Sequence, residues 1–263
     1  MKGQIVLNKS KLAYDWEGAG QWLLLITGVG YGLWFWDWLR PYLSGLRMVA
    51  FDNRGIGDSD LPPGPYDTVE MAKDALGLIQ AMNIQRTHVL GHALGGMVAQ
   101  ELALMAPEKV GKLILSSTVH GGPRTVPISQ EALSAMLDRT GDLGEVLRRG
   151  IGIATADGFL DKRPAVYNQI LAKRLVEPIP PEVYNAQVLA GARHDSEARL
   201  GAIQAQTLVL TGADDRVVPP ANAELLAKKI PNARLEVVPG AGHLLPIEKP
   251  KEMGDIVRQF LGA

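Results

Sequence analysis

Thr87-His88-Val89-Leu90-Gly91-His92-Ala93-Leu94-Gly95-Gly96-Met97-Val98-Ala99-Gln100 is the stretch whose reading decides the fold. An apolar run enters a turn of the form small-x-X-x-small, and strong helix formers leave it. A turn this sharp between strand and helix crowds the positions two residues to either side of its centre, so both must be small. Gly91 and Gly95 meet that demand around Ala93. The central side chain then stands at the carboxyl edge of a sheet, beside the N–H groups and partial positive charge of a helix N-terminus. Glycine-rich strand–helix turns also bind phosphates. A dinucleotide site, however, needs G-x-G-x-x-G, and a P-loop needs Lys-Ser/Thr after its glycines. Neither pattern is present.

Working outward, short apolar runs at residues 23–26, 47–51, 112–115, 207–210 and 234–238 each end in turn residues, as does 87–90. Runs apolar on both faces suit central strands of a parallel sheet covered by helices. Helical spacing over 68–82, 97–105 and 221–229 fills the gaps between them. The alternation predicts an α/β fold with a mostly parallel, doubly wound sheet and helices on both faces. Residues 4–7 and 11–16 lead in as an antiparallel hairpin. Between Gly121 and Ile203 no strand pattern appears, and helices are expected over 128–149, 165–176 and 181–190. The chain therefore divides into a core, 1–120 and 204–263, and a helical cap, 121–203.

The 263 residues suffice for one α/β domain with a buried sheet. A formal net charge of −1 gives no footprint for nucleic acid or for an anionic membrane. The chain has no cysteine, which excludes a disulfide framework and a thiol nucleophile. Its five histidines are scattered and suggest no metal site; no metal and no cofactor are expected. The opening residues lack an apolar signal core, and the run at 22–26 is too short to span a bilayer. A cytoplasmic protein is expected. No nucleic-acid or membrane partner is expected, and a second copy of the chain is a candidate partner.

These stretches resemble the α/β-hydrolase superfamily, whose elbow typically reads G-H-S-x-G-G, with an eight-stranded sheet. Every element matches except the central serine, replaced by Ala93. Thr211-Gly212-Ala213-Asp214-Asp215-Arg216-Val217-Val218-Pro219 is similar to the family's G-x-x-D-x-x-x-P loop, which implies that Asp215 is the catalytic acid. Asp214 then serves the turn. Pro239-Gly240-Ala241-Gly242-His243, followed by Glu248-Lys249-Pro250, resembles the G-x-G-H loop with its E-x-P, making His243 the general base. The resemblance places oxyanion donors on the N–H of Leu94 and on Val29, in Thr27-Gly28-Val29-Gly30. Thr27 stands where the family usually has histidine. A further likeness, to D-x-R-G-x-G-x-S, starts at Asp52; its Ser59, and Asp74 further on, read as structural.

The substrate reading is coarser. Leu33-Trp34-Phe35-Trp36-Asp37-Trp38-Leu39 is expected mainly to anchor a first helix on the sheet. Gly28, Trp34 and His120 are the expected substrate-binding residues, with His120 at a pocket edge near the cap. Met136, Leu137, Phe159 and Tyr167 are candidates to close the pocket. No cationic cluster suited to a dicarboxylate stands out, which disfavours a 3-oxoadipate enol-lactonase. The resemblance implies a carboxylesterase for small to medium apolar esters. Enol-lactonase, carbon–carbon bond hydrolase and perhydrolase share the motifs, and a non-catalytic ligand-binding relative is the reading from another class.

Alanine at position 93 admits three explanations: an engineered loss of serine, a natural non-catalytic relative, or chemistry needing only a base and an oxyanion hole. The retained Asp215 and His243 favour the first, since a long-inactive protein has no physical need to keep the pair.

Overall fold

In the computed structural model, which describes residues 1–7, 10–138 and 140–263, the apolar runs pair into one sheet. Its strands are β1 (Lys2–Leu7), β2 (Ser10–Gly18), β3 (Gln21–Ile26), β4 (Leu46–Phe51), β5 (Thr87–His92), β6 (Val110–Ser116), β7 (Gln206–Gly212) and β8 (Ala233–Val238). Among the described residues the order across this eight-stranded sheet is β1-β2-β4-β3-β5-β6-β7-β8. The β1–β2 and β2–β4 pairs are antiparallel, and every other pair is parallel.

The helices are α1 (Thr68–Ala81), α2 (Leu94–Met105), α3 (Gln130–Leu137), α4 (Leu143–Ala154), α5 (Phe159–Lys162), α6 (Pro164–Val176), α7 (Pro181–Arg193), α8 (Ala221–Lys229), α9 (Leu245–Glu248) and α10 (Pro250–Leu261). Alternate side chains of the buried strands feed opposite faces of the sheet. Leu24 and Ile26 of β3 join a core with Leu78 of α1, Val98 and Leu102 of α2 and Leu226 of α8. Leu23 and Leu25 join the other, with Phe35, Trp36, Leu147 of α4 and Val257 of α10. Among the described residues no helix is long and apolar enough to cross a membrane.

Two expectations need correction. The single helix expected over 128–149 is two, α3 and α4. Gly141 turns the chain at φ 92°, and Asp142 then opens α4 in a reciprocal capping box with Glu145. That arrangement satisfies N–H groups that a continuous helix would have used differently. Arg139, inside the expected helix, lies outside the described residues. The aromatic run forms no α-helix either. It makes 3-10 turns at Leu33–Trp36 and Arg40–Tyr42, and Pro41 in the second has no N–H to bond back to the Asp37 carbonyl. Phe35 and Trp36 are nonetheless fully buried against the sheet.

Helices α3–α7 occupy the connection from β6 to β7. Its two ends meet at an isolated antiparallel bridge between Gly121 and Asp195. Beside that bridge Ser196 N–H donates to the His120 carbonyl at 2.9 Å.

Candidate active site

From β3 the chain moves to one side of the sheet, and from β5 to the other. Such a reversal opens a crevice outside the carboxyl ends of those two strands. The β5–α2 elbow lies there. Ala93 adopts φ 52°, ψ −117°, a conformation costing about 1–3 kcal/mol for a non-glycine residue. Its neighbours hold it in place: Ala93 N–H donates to Ser116 O at 2.9 Å, and its carbonyl accepts from Gly96 N–H at 2.9 Å and Thr118 Oγ1 at 2.7 Å.

The steric demand read from sequence is explicit. A Cβ on Gly91 would lie 2.2 Å from Gly95 O, and one on Gly95 would lie 2.1 Å from Ile26 O. Backbone carbonyls cannot step aside as a flexible side chain can. Gly95→Ala is therefore expected to cost about 3 kcal/mol or more. That corresponds to a fall of roughly 10 °C in Tm, measurable in a thermal melt.

Across the crevice the β3 loop closes on the elbow, for a Cβ on Gly28 would sit 3.0 Å from Ala93 Cβ. Thr27 is fully buried; its Oγ1 donates to Tyr31 O at 2.9 Å and accepts from Asn53 Nδ2 at 3.3 Å. Those bonds fold the loop. Among the described residues no hydrogen bond engages Val29 N–H. Leu94 opens α2, so its N–H has no carbonyl one turn back. Two residues without a sequence signal hold this loop from the β6–β7 insertion. Gln187 of α7, fully buried, accepts from Gly30 N–H at 2.9 Å and donates to Arg54 O at 3.2 Å. Arg174 of α6 donates to Gly30 O and sets its guanidinium 4.9 Å from the Tyr31 ring centroid. Both contacts span more than a hundred residues, and no local pattern announces them.

Asp215 follows β7 and His243 follows β8. Asp215 Oδ1 accepts from the N–H groups of Val217 at 3.0 Å and Val218 at 2.8 Å. Its Oδ2 is thereby left for His243 Nδ1, at 2.9 Å. A buried carboxylate needs such partners to stay charged. A carboxylate on Nδ1 places the imidazole proton there and leaves the Nε2 lone pair available. Asp214 is exposed, and its N–H donates to Ala241 O at 2.9 Å.

His92, the residue before the elbow centre, forms the floor under His243. Their ring centroids lie 5.0 Å apart, and Phe35 backs His92 at the same distance. Burial, and then the charge of His243, push its pKa well below the usual value, so it packs as a neutral ring. The Asp52 segment is structural. Burial pushes the Asp52 carboxyl up to about 6 while it accepts from Leu33 N–H at 2.7 Å. Arg54 makes a bidentate pair with Asp74 at 2.7 and 2.9 Å, and Ser59 Oγ donates to Asp52 O at 2.7 Å.

Trp34 is buried in an aromatic ladder, edge-on to Tyr31 at 5.5 Å and to Trp38 at 6.2 Å. Phe159 and Tyr167 are buried and Met136 partly so, whereas Leu137 is exposed. His120, expected at a pocket edge near the cap, has no exposed surface. Its Nδ1 bonds Gly121 O at 2.5 Å and its own carbonyl accepts from Ser196, which closes the base of the insertion, while its Nε2 is buried without a hydrogen-bond partner among the described residues. Among the described residues no group of three or more His, Asp or Glu could hold a metal ion.

His194, next to that closure, bonds Thr68 Oγ1 at 2.9 Å and lies 3.6 Å from Glu101. Burial pushes its pKa down to about 4 although Glu101 opposes the shift. A histidine depressed on folding stabilises the fold above its unfolded pKa of about 6.5. That stability is lost as pH falls towards 4, by about 3 kcal/mol in full. Asp52, raised by burial, acts oppositely between about 4 and 6. Urea midpoints measured from pH 7 to 4.5 should therefore fall less steeply in His194→Gln than in the parent, whose Asp52 contribution is the same.

The sequence model described as alpha/beta hydrolase fold matches residues 21–250. A Caulobacter segnis protein, provisionally named as the carbamate hydrolase RutD, is 32% identical over 258 residues, 94% of each chain. A thermophilic esterase from Thermogutta terrifontis, solved with malate bound, is 29% identical with a TM-score of 0.84, covering 100% of this chain and 98% of its own. A meta-cleavage product hydrolase from Pseudomonas fluorescens IP01, solved as a serine-to-alanine mutant with acetates, is 26% identical with a TM-score of 0.85. That similarity covers 99% of this chain and 97% of the other.

Proposed function

The chain belongs to the alpha/beta hydrolase fold family, and from that premise we propose that it is a carboxylesterase scaffold with Ala93 where the reaction needs serine. The observation that carries this reading is the Asp215–His243 pair, 2.9 Å apart and buried beside the elbow. A serine hydroxyl at position 93 would give its proton to His243 Nε2 as it attacks the ester carbonyl. The N–H groups of Leu94 and Val29 would hold the oxyanion. His243 would return the proton to the leaving alcohol, and water would clear the acyl-enzyme by the same route. Asp215 would keep the tautomer and stabilise the imidazolium. Residues 121–203 would act as the cap, and the protein would work in the cytoplasm. A Cβ added to Gly191 of α7 would lie 3.6 Å from Leu94 Cδ1 and from Met97 Sδ, so apolar side chains of α2 face the insertion, which supports an apolar acyl group.

A second reading takes carbamates as substrates, from the name given to the Caulobacter segnis relative. The same attack and oxyanion would serve it: the alcohol or phenol of a carbamate ester would leave, and water would release the carbamoyl group from the serine as carbamic acid. The test is a substrate panel on Ala93→Ser: p-nitrophenyl esters of increasing acyl length beside an aryl carbamate, an enol-lactone and a meta-cleavage product. Best turnover of short esters sustains the first reading, and preference for the carbamate the second. Tight binding of one panel compound by a folded but inert revertant would mark a ligand-binding relative.

A further inference from the structure

The hydrogen bonds of one buried acidic side chain go to neither His243 nor Asp215, yet it sits between the loop that carries His243 and the insertion. Glu248, at the end of α9, is 6% exposed. Its Oε1 accepts from Gly242 N–H at 3.0 Å, directly before His243, and its Oε2 accepts from Ala156 N–H at 2.7 Å, just past α4. Burial holds its carboxyl above the usual range, against the pull of these two N–H groups. Each oxygen thus has one backbone donor, one on each side of the seam between core and insertion.

The same corner is fastened on three further counts. Leu244 N–H donates to Ala154 O at 3.0 Å. Arg216, next to Asp215, donates to the carbonyls of Gly152 at 2.7 Å and Thr155 at 2.9 Å, neutralising the C-terminal end of α4. Gly242 leaves no gap, for a Cβ there would lie 2.7 Å from Ala156 N. The turn at 152–157 is therefore clasped by both loops that carry the acid and the base.

We propose that Glu248 is a positioning residue for His243, acting through Gly242, and that it makes the turn at 152–157 a fixed wall of the base. The proposal rests on the catalytic reading of His243. Glutamine at position 248 keeps one acceptor and turns an amide N–H₂ against the other backbone N–H. The Gly242–His243 segment then loses its anchor or its tie to the insertion.

The test has two arms. In the chain with Ala93, the low-field proton resonance of the His243 Nδ1–H···Asp215 bond is followed by NMR in the parent and in Glu248→Gln. Exchange of that proton with water is expected to quicken at least about 10-fold, since a hydrogen bond between poorly held groups opens more often. On the Ala93→Ser background, kcat is expected to fall about 10- to 100-fold with KM within about threefold, as misplaced catalytic groups do. A folded Glu248→Gln with both readouts within twofold of its parent overturns the proposal, even if its melting temperature drops. If Ala93→Ser is inert but proton exchange quickens, the positioning role stands and the esterase reading falls. Should Glu248→Gln fail to fold, Glu248→Asp keeps the charge, loses the reach for one donor, and is read by the same criteria.

Discussion

Ala93→Ser should raise kcat for a short p-nitrophenyl ester by about 10⁶, the penalty seen when a serine hydrolase loses its nucleophile alone. The expectation is large because nothing else has to move. The strained φ 52°, ψ −117° backbone is already held by Ser116, Gly96 and Thr118, and serine tolerates it no worse than alanine. His243 Nδ1 is already bound to Asp215, so Nε2 offers its lone pair without reorganisation. A stoichiometric burst of p-nitrophenol would show the acyl-enzyme accumulating, the kinetic mark of a covalent route. A revertant that folds like the parent and stays inert across acyl lengths would remove the esterase reading.

On that Ala93→Ser background, Asp215→Asn should lower kcat by about 10⁴ with little change in KM. The direction follows from the two N–H groups on Oδ1. Val217 and Val218 both donate to that atom, so the amide oxygen of asparagine must occupy its place. The N–H₂ is then forced towards His243 Nδ1, which must accept. The imidazole proton shifts to Nε2, where a lone pair is needed. Asp214→Asn is the comparison: that side chain is exposed and only its main chain is engaged, so kcat should change less than about threefold. Equal effects at the two positions would reverse the assignment of the acid.

The sheet is legible in the sequence because buried parallel strands and the β5–α2 elbow impose local demands on residue size and polarity. Gly91, Gly95 and the apolar runs meet those demands within a few positions of one another. The break is written in the sequence too, in Gly141 and the Asp142-x-x-Glu145 capping box, but apolar spacing continues across it and hides the start of a new helix. His120 escapes for a different reason. Position after a strand says a residue is near the crevice, but not that its ring turns inward to bond Gly121 O. Gln187 and Arg174 are invisible because their partners on the β3 loop are brought near only by the folded insertion. Glu248 does carry a signal, in the E-x-P after His243, but the motif shows where a helix opens and not which two amides its carboxylate joins.

The bridge between Gly121 and Asp195 brings both ends of a long connection side by side. For protein engineering, that makes it a natural pair of splice points: a segment from a relative could be grafted there without stretching the scaffold. Such a chimera would close its seam, yet it keeps these ties only where the graft sets an amide side chain at Gly30 and a backbone N–H at Glu248. A graft that carries those two fittings along would leave the β3 loop and the His243 loop anchored as they are here.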